Sequence, residues 1–213
     1  MGKLETLTLG PTAQKRADYD VIVDMVRVGA KVLDVGCGDG ALLQRLAREK
    51  QAIGRGMELS QAGVNACVAK GLAVVQGDAD RDLAFFPDRG FDYVVLSKTI
   101  QAVRRPAEVL RELARIGDRV IVSAPNFGHL KVRAGLAFGG RMPVTPSLPA
   151  RWDETENIHL CTLRDFAELA ARVGLTLERA VPIIAGQPSA PFAKSLWRAN
   201  WFAEEAVFLL VGK

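Results

Sequence analysis

The stretch VLDVGCGDG, Val32 to Gly40, ends an apolar run in Asp34 and then places Gly36, Gly38 and Gly40 at alternate positions. Glycines after a strand and before a helix let backbone N–H groups approach a ligand, because no Cβ stands in the way. Read literally, Gly36 to Ala41 also fits the dinucleotide spacing GxGxxG/A, so spacing alone does not separate one adenosyl cofactor from another. Charge separates them. A pyrophosphate wants backbone donors and no anion nearby, yet Asp34 lies two residues before the first glycine and Asp39 lies inside the loop. Two carboxylates so placed suit a ligand carrying an ammonium and a sulfonium. Glu58 closes AIGRGMEL about 20 residues after the loop, where a carboxylate accepts both hydroxyls of a ribose. Asp78, in QGDAD, stands where a carboxylate accepts from an adenine amino group, and Ala79 offers a backbone N–H to a ring nitrogen. A glycine triplet alone often marks only a tight turn, but three strand ends here agree on one ligand, S-adenosylmethionine or S-adenosylhomocysteine.

Methyl transfer from a sulfonium is an in-line displacement, and much of its catalysis is the holding of donor and nucleophile at near-attack distance. A base is needed only where the nucleophile must lose a proton, so the lack of a triad decides nothing. Lys98, Gln101, Asn126, His129 and His159 are the candidates around an acceptor pocket, by position after strands or in a long loop. Of these, Lys98 and His159 are the catalytic candidates. Lys98 reads as a pocket cation or, more simply, as a solvated loop charge. His159 reads as a general base near neutral pH or, more simply, as an anchor for the segment before the next helix. LSKTIQ stands where base-amino methyltransferases carry an NPPY or DPPY tetrad, which argues against that chemistry.

The elements that must position these groups alternate. KVLDVG, AIGRGMEL, LAVVQGD, DYVVLS and RVIVSAP read as strands, separated by helices over Ala41–Glu49, Gln61–Lys70 and Pro106–Ala114. Strands separated by helices imply a parallel sheet with right-handed crossovers. VVL and VIV lack alternation, as strands covered on both faces do. Ahead of them, Tyr19, Ile22, Val23 and Val26 recur at helical spacing, predicting an amphipathic helix over residues 12–28. After Pro125 the period is lost until His159, which predicts an insertion or lid over 126–160 with a short helix near Lys131–Phe138. Thr162 with Asp165 is a capping pattern for a helix to Val173. LTLERAVPII and EAVFLLVG then close the sheet as an antiparallel, hairpin-like end. Trp197 and Trp201, four apart, serve either as an exposed anchor for a partner or as packing.

Length and composition bound the rest. A chain of 213 residues with 49% hydrophobic residues builds one core, so residues 1–213 are read as a single domain. No run of about 18 uncharged apolar residues occurs and the first residues lack a signal-peptide core, so no membrane contact and a cytoplasmic location are expected. Cys37, Cys67 and Cys161 are odd in number and far apart, and only His129 and His159 accompany them, so neither metal nor disulfide is expected. A net charge of +4 is modest, and the stretch from Lys131 onward places Lys131, Arg133 and Arg141 ahead of any acid. Nucleic acid is therefore permitted and not indicated.

Together these residues resemble class I S-adenosylmethionine-dependent methyltransferases, with VLDVGCGDG as the first motif, Glu58 as the ribose acid and GDAD as the adenine motif. The fold this implies is α/β and Rossmann-like, a mostly parallel seven-stranded sheet with helices on both faces and an antiparallel C-terminal strand. The cofactor-binding set it implies is Asp34, Gly36, Cys37, Gly38, Gly40, Glu58, Leu59, Gly77, Asp78, Ala79 and Ser97. LDVGCGDGALLQRL, DYVVLSKTIQAVRRPAEVLRELARIGDRVIVSAPNFGHLKVR, RWDETENIHLCTLRDF and AEEAVFLL further resemble the MetW family of methionine-biosynthesis proteins, from about Val32 onward. PNFGH combined with NIHLCT is the more specific part of that likeness. It implies a partner, a homoserine O-acyltransferase supported through complex formation, rather than an established methyl acceptor. Methyl transfer to a small molecule under the 126–160 loop is the alternative.

Overall fold

The computed structural model describes residues 16–191 and 196–212. Their strands are β1 Lys31–Val35, β2 Ile53–Glu58, β3 Val74–Gln76, β4 Phe91–Ser97, β5 Gly117–Pro125, β6 Leu175–Ile184, β7 Gln187–Pro188 and β8 Glu205–Gly212. The helices are α1 Ala17–Met25, α2 Ala41–Lys50, α3 Gln61–Ala69, α4 Pro106–Ile116, α5 Leu130–Gly139, α6 Leu163–Arg172 and α7 Leu196–Phe202.

One sheet forms in the order β3-β2-β1-β4-β5-β8-β6-β7. Strands β1 to β5 pair in parallel, and β8 lies antiparallel between β5 and β6. The seven expected strands form with the expected antiparallel ending. The two-residue β7 is an eighth that the sequence pattern does not predict. It returns against the end of β6 through Ala185 and Gly186, both at positive φ. That is the backbone of a tight two-residue hairpin, which pairs well with strand twist. Pro188 and the brevity of the pair hide it from a periodicity search.

Both faces of the sheet are covered, which is why its central strands do not alternate. Leu33, Val94, Leu96, Val120 and Phe208 pack with Leu110, Leu113 and Phe166 of α4 and α6. Val32, Val95, Ile121 and Val207 pack with Ile22, Leu42 and Leu46 of α1 and α2. In α4 the buried positions Val109, Leu110, Leu113 and Ile116 trace one helical stripe, and Pro106 starts it where no N–H partner is needed.

The N-terminal helix is shorter than expected: Val26 is already extended, and residues 12–15 of that expectation lie outside the described residues. Helix α7 has no counterpart among the elements the sequence predicts. It carries both tryptophans, with Trp197 mostly exposed and its ring centroid 6.3 Å from that of Trp201, while Ala199 and Asn200 supply the buried side.

The connections decide where a ligand sits. From β1 the chain moves outward through β2 and β3, then returns to β4 on the other side of β1. The strand order reverses there, leaving a crevice at the carboxyl ends of β1 and β4.

Candidate functional site

A cavity of about 630 Å³ occupies that crevice. Each neighbouring strand contributes through its end: Val35 and Gly36 from β1, Glu58 and Leu59 from β2, Gly77, Asp78 and Ala79 after β3, and Lys98 and Thr99 after β4. Residues 156–158 close it from the connection between β5 and α6.

Glu58 is fixed by the backbone around it. Its Oε2 accepts from Gly38 N at 2.9 Å and its Oε1 from Ser60 N at 2.9 Å. Each carboxylate oxygen retains a further lone pair, so the pair can still accept from two vicinal hydroxyls. Asp78 is held in the same way, its Oδ1 accepting from Asp80 N at 2.9 Å. Gly36 has φ +72, and a Cβ there would stand 2.8 Å from Thr99 Oγ1. A side chain at that position would meet the turn after β4, so only glycine keeps the two strand ends this close.

Asp34 lies behind this wall. It is 2% exposed, and its Oδ1 has no hydrogen-bond partner among the described residues. Burial lifts its carboxyl from 3.8 to about 7, with Arg16 opposing and the charges of Glu58 and Asp18 adding to the rise. A buried acid left without a partner is costly unless something cationic meets it. Asp39, by contrast, is matched within the chain: Lys70 Nζ sits 2.7 Å from its Oδ2, and this bond outweighs desolvation to hold Asp39 below its ordinary value. Of the two loop aspartates, only Asp34 retains an uncompensated demand for positive charge.

A polar cluster adjoins Asp34. Arg16 donates to Ser97 Oγ at 2.7 Å and to Asp18 Oδ2 at 2.8 Å, and Ser97 Oγ itself donates to Asp18 Oδ2 at 2.8 Å. Desolvation pushes Asp18 upward, but the bond and charge of Arg16, aided by Lys98 and Ser97, bring it below its ordinary value. Lys98 Nζ pairs with the buried Glu205 at 2.6 Å. Burial raises Glu205 above its ordinary value even against that lysine. Lys98 is therefore neither a free pocket cation nor a solvated loop charge; it lines the cavity while neutralising an acid beneath it.

Several expected site residues face elsewhere. The hydroxyl of Ser97 is absorbed by the Arg16 and Asp18 cluster and does not line the cavity. Cys37 turns its side chain into the interior, with Sγ 3.8 Å from Cys67 Sγ. Gly38 serves Glu58 through its N–H, and Gly40 starts α2 while packing against Leu72 and Cys67. Among the acceptor candidates, Asn126 is fully buried and donates to Asn200 O and Ala203 O, tying β5 to α7. His129 caps α5, its Nδ1 accepting from Lys131 N. His159 lies outside the cavity, its Nε2 3.4 Å from Arg104 O and its backbone N bonded to Gln101 O, which is the anchoring role. Gln101 is buried and donates to Lys98 O at 2.7 Å.

Asp80, Thr99 and Arg104 line the cavity although sequence spacing does not single them out. Asp80 accepts from Arg104 N and Arg105 N, so it clamps the turn after β4 to the end of β3. Its place directly after GDA was the available signal. For Arg16 no spacing in the sequence gives one. Among the described residues no group of three His, Cys, Asp or Glu is placed to hold a metal, and no helix is long and apolar enough to cross a membrane.

Comparison with known proteins agrees with this geometry. A family model described as "Methionine biosynthesis protein MetW" matches residues 16–210. The "Bifunctional methionine biosynthesis protein MetXA/MetW" of Rhodopirellula baltica is 31% identical over 173 residues, which cover 77% of this chain and 28% of that protein. A ubiquinone biosynthesis O-methyltransferase of Neisseria meningitidis is 31% identical over 121 residues, 53% of this chain and 49% of that one. The chain thus spans half or less of the length of these curated relatives. Among solved structures, an S-adenosylmethionine-dependent methyltransferase from Thermotoga maritima superposes with a TM-score of 0.68 at 16% identity, covering 93% of this chain and 90% of that one. The fold is the Rossmann-like methyltransferase fold.

Proposed function

Because the chain belongs to the MetW family of methionine biosynthesis proteins, we propose that it binds S-adenosylmethionine in the 630 Å³ cavity and supports a homoserine O-acyltransferase by forming a complex with it. The observation that carries the partnership is the Rhodopirellula baltica relative, whose name joins MetXA to MetW in one protein and 28% of which this chain covers. Cofactor binding is supported by the chemistry of the residues present. Glu58 offers two oriented oxygens to a ribose, Asp78 and Ala79 stand at the far end for an adenine, and Asp34 is the buried acid that an ammonium would satisfy. When bound, the cofactor brings a methyl sulfonium, and as a ligand its occupancy reports methionine supply.

Copurification with the acyltransferase, coupled to an assay of acyl transfer with and without this protein, tests the reading. A stable complex and a faster acyl transfer are expected; no complex and no change in rate would overturn it. Methyl transfer to a small molecule is the second reading, favoured by the match to an O-methyltransferase. It requires S-adenosylhomocysteine to form only when an acceptor is added, and Glu58→Ala to abolish that formation.

A further inference from the structure

The connection between β5 and α6 forms a second cavity, an open cleft of about 350 Å³. Phe127, Met142, Leu148, Trp152 and Leu160 form most of its wall, and no charged side chain lines it. Its polar side chains are Thr155, whose Oγ1 accepts from Asn157 N, and Asn157 itself, which also lines the first cavity. Phe127, Leu148, Asn157 and Leu160 in addition border a crevice of about 10 Å³, and Gln101 lines that crevice too. Gln101 is 6% exposed; its Nε2 donates to Lys98 O, but its Oε1 has no partner among the described residues. A buried acceptor that lacks a donor thus belongs to a residue lining the small crevice beside the apolar cavity.

We propose that this chamber binds a small neutral molecule with an apolar body and one hydroxyl or similar donor, the donor directed toward Gln101 Oε1. Ligand sites are mostly apolar clefts in which a few polar groups set orientation. A buried acceptor left unpaired is destabilising, which a hydroxyl on the ligand offsets. A carboxylate directed toward Gln101 would lose its hydration there and meet no countercharge among the side chains lining the cleft. Because Asn157 borders both cavities, the bound molecule lies one side chain away from the first. The proposal does not depend on cofactor binding and is measured without it.

The test titrates the full chain with benzyl alcohol, benzyl methyl ether and phenylacetate and follows backbone amide NMR shifts. Benzyl alcohol is expected to shift amides within residues 127–160 saturably. The ether, which lacks the donor, should bind about fivefold more weakly, and phenylacetate at least about tenfold more weakly. Gln101→Met should erase the difference between alcohol and ether. Ala150→Trp, at an exposed position of the cavity wall, should abolish binding of all three while the variant unfolds cooperatively near the wild-type temperature. Absence of saturable binding, phenylacetate binding as well as the alcohol, or binding unaffected by Ala150→Trp would each overturn the proposal. An Ala150→Trp variant that instead weakens only the acyltransferase complex would assign the chamber to a protein side chain and overturn it too.

Discussion

Asp34 sets stability against binding within one side chain. In the unfolded chain its carboxyl titrates near 3.8, whereas in the fold burial, opposed by Arg16 and reinforced by Glu58 and Asp18, lifts it to about 7. Between those values the folded state holds a proton that the unfolded state has released, so its stability falls as pH rises. The contribution is fully present below about pH 4 and is lost as pH passes through about 7. Thermal scans of the ligand-free protein should therefore show a Tm that declines from about pH 5 to about pH 8, and Asp34→Asn should flatten this decline. A rise from 3.8 to about 7 corresponds to ~4 kcal/mol at most, so the substitution should raise Tm by several degrees on the alkaline side. The same variant should lose its thermal response to S-adenosylmethionine, since the amide cannot neutralise an ammonium. A wild-type pH profile retained by Asp34→Asn would remove Asp34 from this role. A stabilising substitution that abolishes binding is the signature expected of a group kept for function.

At the scale of elements, the glycine loop separates into parts that the spacing alone treats as equivalent. Gly38 has φ +55 and open space for 4 Å around the place a Cβ would take, whereas Gly40 has φ +77 and a Cβ there would overlap the side chain of Leu72 and crowd Cys67. Gly38→Ala should cost about 1–2 kcal/mol from left-handed strain, and Gly40→Ala distinctly more, both read as urea midpoints. Equal losses would mean that α2 and Leu72 move apart freely. The cap of α6 offers a second test. Thr162 Oγ1 accepts from Asp165 N while Asp165 accepts from Thr162 N, so Thr162→Ala should cost ~1 kcal/mol, or about 2–4 °C in Tm. That capping box was legible because its chemistry is local, as were the starts of α2 and α4 and the residues of β6 and β8. Helix α7 and β7 were not, because they lie in a stretch rich in proline and aromatics without a sustained period. The site divides along the same line. Glu58, Asp78 and Gly36 were legible because strand ends converge by topology. The orientations of the Ser97, Cys37 and His159 side chains were not legible, because they depend on partners such as Asp18, Cys67 and Arg104, which are remote in sequence.

For the whole molecule, sheet order and charge together would decide which adenosyl ligand the proposed site accepts. The reversal between β1 and β4 would serve a dinucleotide as readily as S-adenosylmethionine, so topology leaves the choice open. Lys70 neutralises Asp39, which removes one of the two anions that the sequence sets against a pyrophosphate. The discrimination falls on Asp34, buried and unpartnered, with Glu58 nearby. An ammonium approaching Asp34 relieves its desolvated charge, whereas a pyrophosphate adds negative charge where one acid is already raised. A ligand at about 100 times its Kd stabilises the native state by roughly 2.7 kcal/mol. For a chain of this length that is a rise of about 5–10 °C in Tm. S-adenosylmethionine and S-adenosylhomocysteine should both produce it, since both carry the ammonium and the ribose. NADH at the same concentration should leave Tm unchanged, because its ribose can meet Glu58 but its pyrophosphate would add negative charge beside Asp34 and Glu58. A rise with NADH equal to that with S-adenosylmethionine would show that the crevice reads only the adenosine, and that the charge of Asp34 does not select the ligand.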